Sequence, residues 1–182
     1  MSLKDLTWEH HQNAERQAFA KEMLKGEVTN ERYAQYLYNQ FKMYDVLETI
    51  AMANNCFNDL GRDFRRAPKI KDDFLELWED GFDNPPEELP VTEEYIKHIL
   101  SIQNNKKKVM AHVYVRHMGD LSGGQMLAKK VPGSGKLYDF TNDAGLTIEQ
   151  LKEIIRERCD DSMADEAKVA FDFATKLFEQ MG

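Results

Sequence analysis

Apolar side chains recur at three- and four-residue spacing along almost the whole chain, and no segment alternates as a strand would. That property confines the chain to an all-α architecture. Glycine, proline and capping residues cut the pattern into seven predicted helices. The first runs from about Leu3 to Lys25 and stops at Gly26, where glycine supplies a left-handed cap. Thr29 caps a second, long helix to Asn58 that carries Tyr33, Leu37, Phe41, Tyr44, Leu47 and Ala51 along one stripe. Gly61 to Pro68 reads as a basic connector with Arg62, Arg65 and Arg66, ahead of a shorter helix from Asp72 to Glu79. The breaker-rich loop Gly81 to Pro90 separates it from helices over Thr92–Asn104 and Lys106–Lys130. After a loop from Val131 to Gly145, the capping box Thr147-x-x-Gln150 opens a helix to about Asp160. Ser162-x-x-Asp165 starts the last one, which ends at Met181.

A length of 182 residues suits one domain, spanning 1–182. Lys and Arg total 24 against 32 Asp and Glu, a net charge of −8 that makes a poor general nucleic-acid binder. Cys56 and Cys159 form neither a disulfide framework nor a C-x-x-C metal pair, which favours a reducing, cytoplasmic setting. Lys4, Asp5, Glu9, His10 and His11 leave no room for an apolar leader, and no stretch approaches the length of a membrane span. The expected protein is soluble and cytoplasmic, with neither nucleic acid nor membrane among its partners.

The most unusual string is Gly119-Asp120-Leu121-Ser122-Gly123-Gly124-Gln125, in which LSGGQ matches the signature of ATP-binding-cassette ATPases. That function requires an upstream phosphate loop between a strand and a helix. The nearest candidate, Gly133 to Lys136, lies downstream, with Lys130 in place of the first glycine and Leu137 in place of Ser or Thr. A nucleotide site is therefore rejected. The glycines suit either a plain turn between helices or a kinked helix whose backbone touches a flat ligand, with Asp120 held beside it. His11 shares a helix face with Thr7, Ala14 and Ala18, small neighbours that leave room for something broad, and Lys4 lies two turns along that face. A lone histidine is more commonly an ordinary surface residue, and adjacent His10 points about 100° elsewhere. Lys152 and Arg156 form a second cationic pair at i and i+4, commonly a solvated feature.

Taken together, His11-Gln12-Asn13-Ala14-Glu15, the run His112-x-Tyr114-x-Arg116-x-x-Gly119 to Gln125, and the ending Ala167-Lys168-x-Ala170-Phe171 through Leu177-Phe178-Glu179 resemble haem oxygenase. The likeness is to the short forms of bacteria, cyanobacteria and plastids, since the chain stops at Gly182 with no hydrophobic tail. It implies a helical bundle with haem b held between a proximal helix and a kinked, glycine-rich distal helix. In that resemblance His11 is the proximal iron ligand and metal-binding residue, with Glu15 orienting its other nitrogen or holding that helix end. Gly119, Gly123 and Gly124 lie over the haem plane, and Asp120 anchors distal water in a network that Tyr114 and Arg116 extend. Lys4, Lys152 and Arg156 hold the propionates. Phe171 and Phe178 pack near the pocket, although both also suit an ordinary core. His117 and Met118 stand where tyrosine and leucine are frequent; His117 points nearly opposite the glycine face and is discounted as a second iron ligand.

The implied reaction uses O2 and an external reductant to open haem at a meso carbon, usually α, yielding biliverdin, carbon monoxide and ferrous iron. It would feed bilin synthesis or iron release. Reduced ferredoxin is the expected donor, with Lys106, Lys107, Lys108, Lys129 and Lys130 as docking candidates, and a bilin reductase is a downstream partner. A non-catalytic haem carrier would keep His11 without needing Asp120 or the glycines. A di-iron bundle would need paired Glu-x-x-His motifs, which are absent.

Overall fold

The computed structural model describes residues 1–182 and contains no strand. Its helices are α1 (Leu3–Leu6), α2 (Trp8–Glu15), α3 (Ala18–Lys25), α4 (Asn30–Ala53), α5 (Ala67–Leu77), α6 (Pro90–Ser101), α7 (Lys106–Leu127), α8 (Ile148–Glu157) and α9 (Ala164–Met181). Short 3₁₀ turns occupy Arg62–Phe64, Lys136–Tyr138 and Asp161–Met163.

The expected first helix is three. Thr7 leaves the helical region at φ −109°, ψ 2°, and its hydroxyl donates to Leu3 O at 2.9 Å. This is the competition that a threonine hydroxyl offers the helical backbone. Gln17 is extended at φ −66°, ψ 145°, which separates α2 from α3. The second expected helix ends early because Asn55 and Asp59 adopt left-handed conformations, at φ 61° and φ 68°.

Both α5 and α6 begin ahead of their predicted starts, each with proline in its first turn. Neither has a capping side chain of its own. Instead α4 caps both from outside. Glu48 accepts from the backbone N–H groups of Arg66 (2.6 Å) and Ala67 (2.8 Å). Asn39 Oδ1 accepts from Leu89 N at 2.8 Å and from the Thr92 hydroxyl at 2.6 Å. The Thr147–Gln150 capping box is present, whereas Asp160, and not Ser162, caps the turn that leads into α9.

The 24-residue α4 lies in the middle, packed against α5, α6 and α7, while α9 covers α7 and α2. Arg66, fully buried, donates to the carbonyls of Asp63, Phe64, Leu137 and Asp139 and so ties the start of α5 to the long loop after α7. Helix α7 continues through Gly119, Gly123 and Gly124 without interruption. Gly124 has an inward role: a Cβ there would sit 2.5 Å from Tyr138 Cδ1, whereas at Gly119 and Gly123 it would meet nothing within 4 Å.

This asymmetry predicts different stabilities for two alanine variants. Gly123→Ala gains roughly 1 kcal/mol of helix propensity without a clash. Gly124→Ala sets the same gain against an over-packing cost of about 1–3 kcal/mol. Urea unfolding should rank Gly124→Ala below Gly123→Ala; equal midpoints would show that the Tyr138 ring moves aside freely.

Candidate functional site

Helix α7 presents two kinds of face. Tyr114, Met118 and Ser122 form one i, i+4 row, and Val115 and Gly119 form the next, with Gly123 a turn further on. All of these except Gly123 line a cleft of about 480 Å³. Across it stand His11 of α2, Lys4 of α1, Arg156 of α8 and Phe171 of α9, with Cys159, Asp160 and Asp161 at the end of α8. The cleft therefore joins a histidine, two cations and a stretch of α7 whose backbone is open at Gly119.

His11 is well placed. Its ring stacks on Phe171 at 5.1 Å and 14°, and Trp8 meets it edge-on at 5.4 Å. Its Nε2 lies 2.7 Å from Glu15 Oε1, so one ring nitrogen is occupied and the other is left for a ligand. His10 turns away and pairs with Asp172 at 2.9 Å. Burial pushes the Cys159 thiol up to about 12, so this cleft residue stays protonated and offers no thiolate to compete with the imidazole.

Asp120 and Arg116 belong to the other side of α7, which faces α4. The Tyr44 hydroxyl donates to Asp120 Oδ2 at 2.6 Å, and Oδ1 has no protein partner. Burial pushes the Asp120 carboxyl up to about 6, with the Tyr44 hydrogen bond and the charges of His117, Arg66 and Arg116 acting in opposition. Arg116 is buried outside the cleft: it donates to the Tyr95 hydroxyl at 3.0 Å and Gln40 Oε1 at 2.8 Å, and lies over the Tyr95 ring. It thus buttresses the helix behind Asp120. Tyr114, the third member of the expected network, is in the cleft wall instead.

Three further expectations are not met at the cleft, while the discounting of His117 holds. Gly124 packs on Tyr138, as described. Phe178 lies between Phe19 and Tyr36, about two turns of α9 beyond Phe171, and belongs to the core. Lys152 points to Glu149 at 3.4 Å and does not line the cleft, because its helix presents only Arg156 there. His117 is fully buried among Tyr44, Phe57 and Phe64 with Nε2 2.8 Å from Glu48, far from any axial role.

Sequence reasoning passed over Tyr44, which read as a member of an apolar stripe, over Tyr95 and Gln40, and over Ser122, hidden among glycines. Nothing local in the chain signals that Tyr44 meets a carboxylate 76 positions away.

The raised Asp120 carboxyl carries a pH dependence. The folded state holds this proton more tightly than the unfolded chain, where an aspartate titrates near about 3.9. The contribution to stability is therefore complete below about pH 4 and is lost as pH rises through about 6. Asp120→Asn, which keeps an acceptor for Tyr44, should gain on the wild type between about pH 4 and 6 and run parallel above. Urea unfolding at stepped pH measures this, and a constant difference across the window would remove burial as the cause.

Comparison with known proteins bears on this arrangement. The family model described as Heme oxygenase matches residues 1–180. Heme oxygenase 1 of Bos taurus is 27% identical over 99% of this chain and 70% of its own length. The solved structure of heme oxygenase from Leptospira interrogans superposes with a TM-score of 0.79 at 26% identity, covering 97% of this chain and 96% of that one. Heme oxygenase-2 from Synechocystis, solved in complex with heme and NO, superposes at 0.84 and 26% identity, over 98% and 83% of the two chains.

Proposed function

This chain belongs to the haem oxygenase family, and on that premise we propose how its cleft binds and degrades haem as a one-domain enzyme. The observation that carries the reading is the pairing, in one cleft, of His11 with the open backbone of α7 at Gly119. A flat macrocycle fits where no Cβ projects, and a wall of backbone at Gly119 and Gly123 lets it approach closely. His11, steadied by Glu15 and Phe171, offers an imidazole nitrogen to iron on one side. Lys4 and Arg156 supply cations suited to propionates. Bound haem is both the substrate and the group whose iron takes O2 and electrons from an external reductant.

The protein's own contribution is positional and acid–base. Gly119, Gly123 and Ser122 shape the space above the plane and direct the reaction toward a bridging carbon, in this reading the α-meso carbon. Asp120 is pushed up to about 6 and its Oδ1 has no protein partner, so it gains and loses a proton close to neutral pH, an arrangement suited to passing protons through water. Arg116 fixes that carboxylate's helix without touching substrate. Biliverdin, carbon monoxide and ferrous iron are the products, with biliverdin passing to a bilin reductase or the iron being released for use. A haem carrier would need His11 but not a carboxyl tuned in this way.

Reduced ferredoxin is the proposed donor. The lysines considered for docking fall into two groups, Lys106–Lys108 at the start of α7 and Lys129–Lys130 beyond its end. The 22-residue helix α7, which begins with the first group and ends just before the second, is about 33 Å long at a rise of roughly 1.5 Å per residue. They are two patches, and the first lies beside Arg158.

Hemin titration followed by reductant tests the activity. Wild type should give a stoichiometric Soret band that bleaches with bilin formation. His11→Ala should bind haem more weakly and lose turnover, with added imidazole restoring part of it. Asp120→Ala should keep the Soret band and lose bilin yield; normal yield from both variants would overturn the assignment. For the donor, ferredoxin-dependent turnover should fall with salt, since screening acts over about 8–10 Å. Charge reversal at Lys106 and Lys108 should flatten that dependence, and an unchanged slope would remove this patch.

A further inference from the structure

Away from the cleft, three helices bring ligand-type side chains to one point. His98 near the end of α6 and His112 of α7 each place Nε2 2.7 Å from the same oxygen, Oε2 of Glu166 on α9. The three ligand atoms all lie within 4.8 Å of one another. Two imidazoles crowd one carboxylate oxygen, while Oε1 of Glu166 has no protein hydrogen bond. None of these residues belongs to the haem cleft.

We propose that His98, His112 and Glu166 form a binding site for a divalent first-row transition metal of the zinc class, joining α6, α7 and α9. Two imidazoles and a carboxylate are a donor set that such ions accept, and three protein ligands leave a fourth position open. Water reaches that position from the side of His98, whose side chain is 27% exposed, whereas His112 is fully buried.

The orientation of His112 is built from outside the cluster. Its Nδ1 lies 2.9 Å from the Tyr95 hydroxyl, which already accepts from Arg116 Nε at 3.0 Å. The hydroxyl oxygen has a second lone pair for an Nδ1–H. The tautomer that is then hydrogen-bonded turns the Nε2 lone pair toward the cluster, the arrangement by which outer partners hold metal-bound histidines. Ligand atoms around a tetrahedral zinc stand about 3.3 Å apart for bonds of about 2.0–2.2 Å. The nitrogen–oxygen pairs, now at 2.7 Å, need to open by about 0.6 Å, and the two nitrogens, at most 4.8 Å apart, need to draw together. Side-chain rotation supplies movements of this size.

The other histidine–carboxylate pairs, His10 with Asp172, His11 with Glu15 and the fully buried His117 with Glu48, offer two ligands each. They are the competing sites that a test must separate. This site is independent of the haem reading, and either can fail alone.

Cobalt(II) titrated into the full, haem-free chain should give a saturable visible absorption at one equivalent, displaced by zinc, and should raise the melting temperature. His98→Gln and Glu166→Gln, both at partly accessible positions that tolerate the change, should each weaken binding by more than about tenfold, the lower bound set by loss of an outer partner alone. His11→Ala should leave the signal unchanged. The proposal is overturned by the absence of a one-equivalent signal in the wild type, by a signal that both His98→Gln and Glu166→Gln retain at full affinity, or by its loss in His11→Ala.

Discussion

The carboxylate of Glu48 is the contact on which three helices depend. It has no exposed surface, and its two oxygens take the backbone N–H groups that open α5 and the ring of His117 on α7. A buried charge without such partners is costly, and removal of one partner leaves the rest uncompensated. The same carboxylate thus sets where α5 starts, how α7 is rotated about its axis and how close both lie to α4. Because the rotation of α7 decides which of its residues face the cleft, a capping interaction in the core governs the geometry of the binding surface.

That rotation separates two tasks along one helix. The row through Val115 and Gly119 meets the cleft, the row through Arg116 and Asp120 meets α4, and Gly124 lets the helix come down onto Tyr138. Three glycines that look alike in sequence therefore stand in different surroundings: two border open space and one makes room for a neighbouring ring. Asp120 stands at the boundary, anchored in the polar core by Tyr44 and adjacent along the chain to the open backbone.

Helix content and six of the fourteen cleft residues were readable from residues 1–182 alone. Periodicity, the Gly26 cap and the Thr147–Gln150 box are local signals, and local signals survive folding. His11, Lys4, Tyr114, Gly119, Arg156 and Phe171 converge as the motifs implied. What was not readable is long-range. The starts of α5 and α6 are set by Glu48 and Asn39 in a different helix, so proline and not the nearest threonine marks the first turn. Phe178 and Lys152 share helix faces with true cleft residues, but Phe178 lies about two turns further along α9 against Phe19 and Tyr36, and Lys152 lies a turn before Arg156 and reaches Glu149. Arg116 looked like a cleft residue because a motif does not say which flank of its helix is covered.

The division of the amino-terminal helix has a thermodynamic consequence for the histidine it carries. Between Thr7 and Gln17, α2 is only eight residues long and its first turn has no capping side chain. Isolated helices below about 12–15 residues are marginal, so α2 keeps its shape chiefly through α9 and the His11–Phe171 stack. Its amide protons should then exchange with solvent through local opening, ahead of those in α4, whose release requires the core to come apart. A ligand that spans α2 and α7 holds the plate shut, and its binding energy enters the folding equilibrium of this segment by mass action. One wall of the cleft is in this sense completed by what it binds.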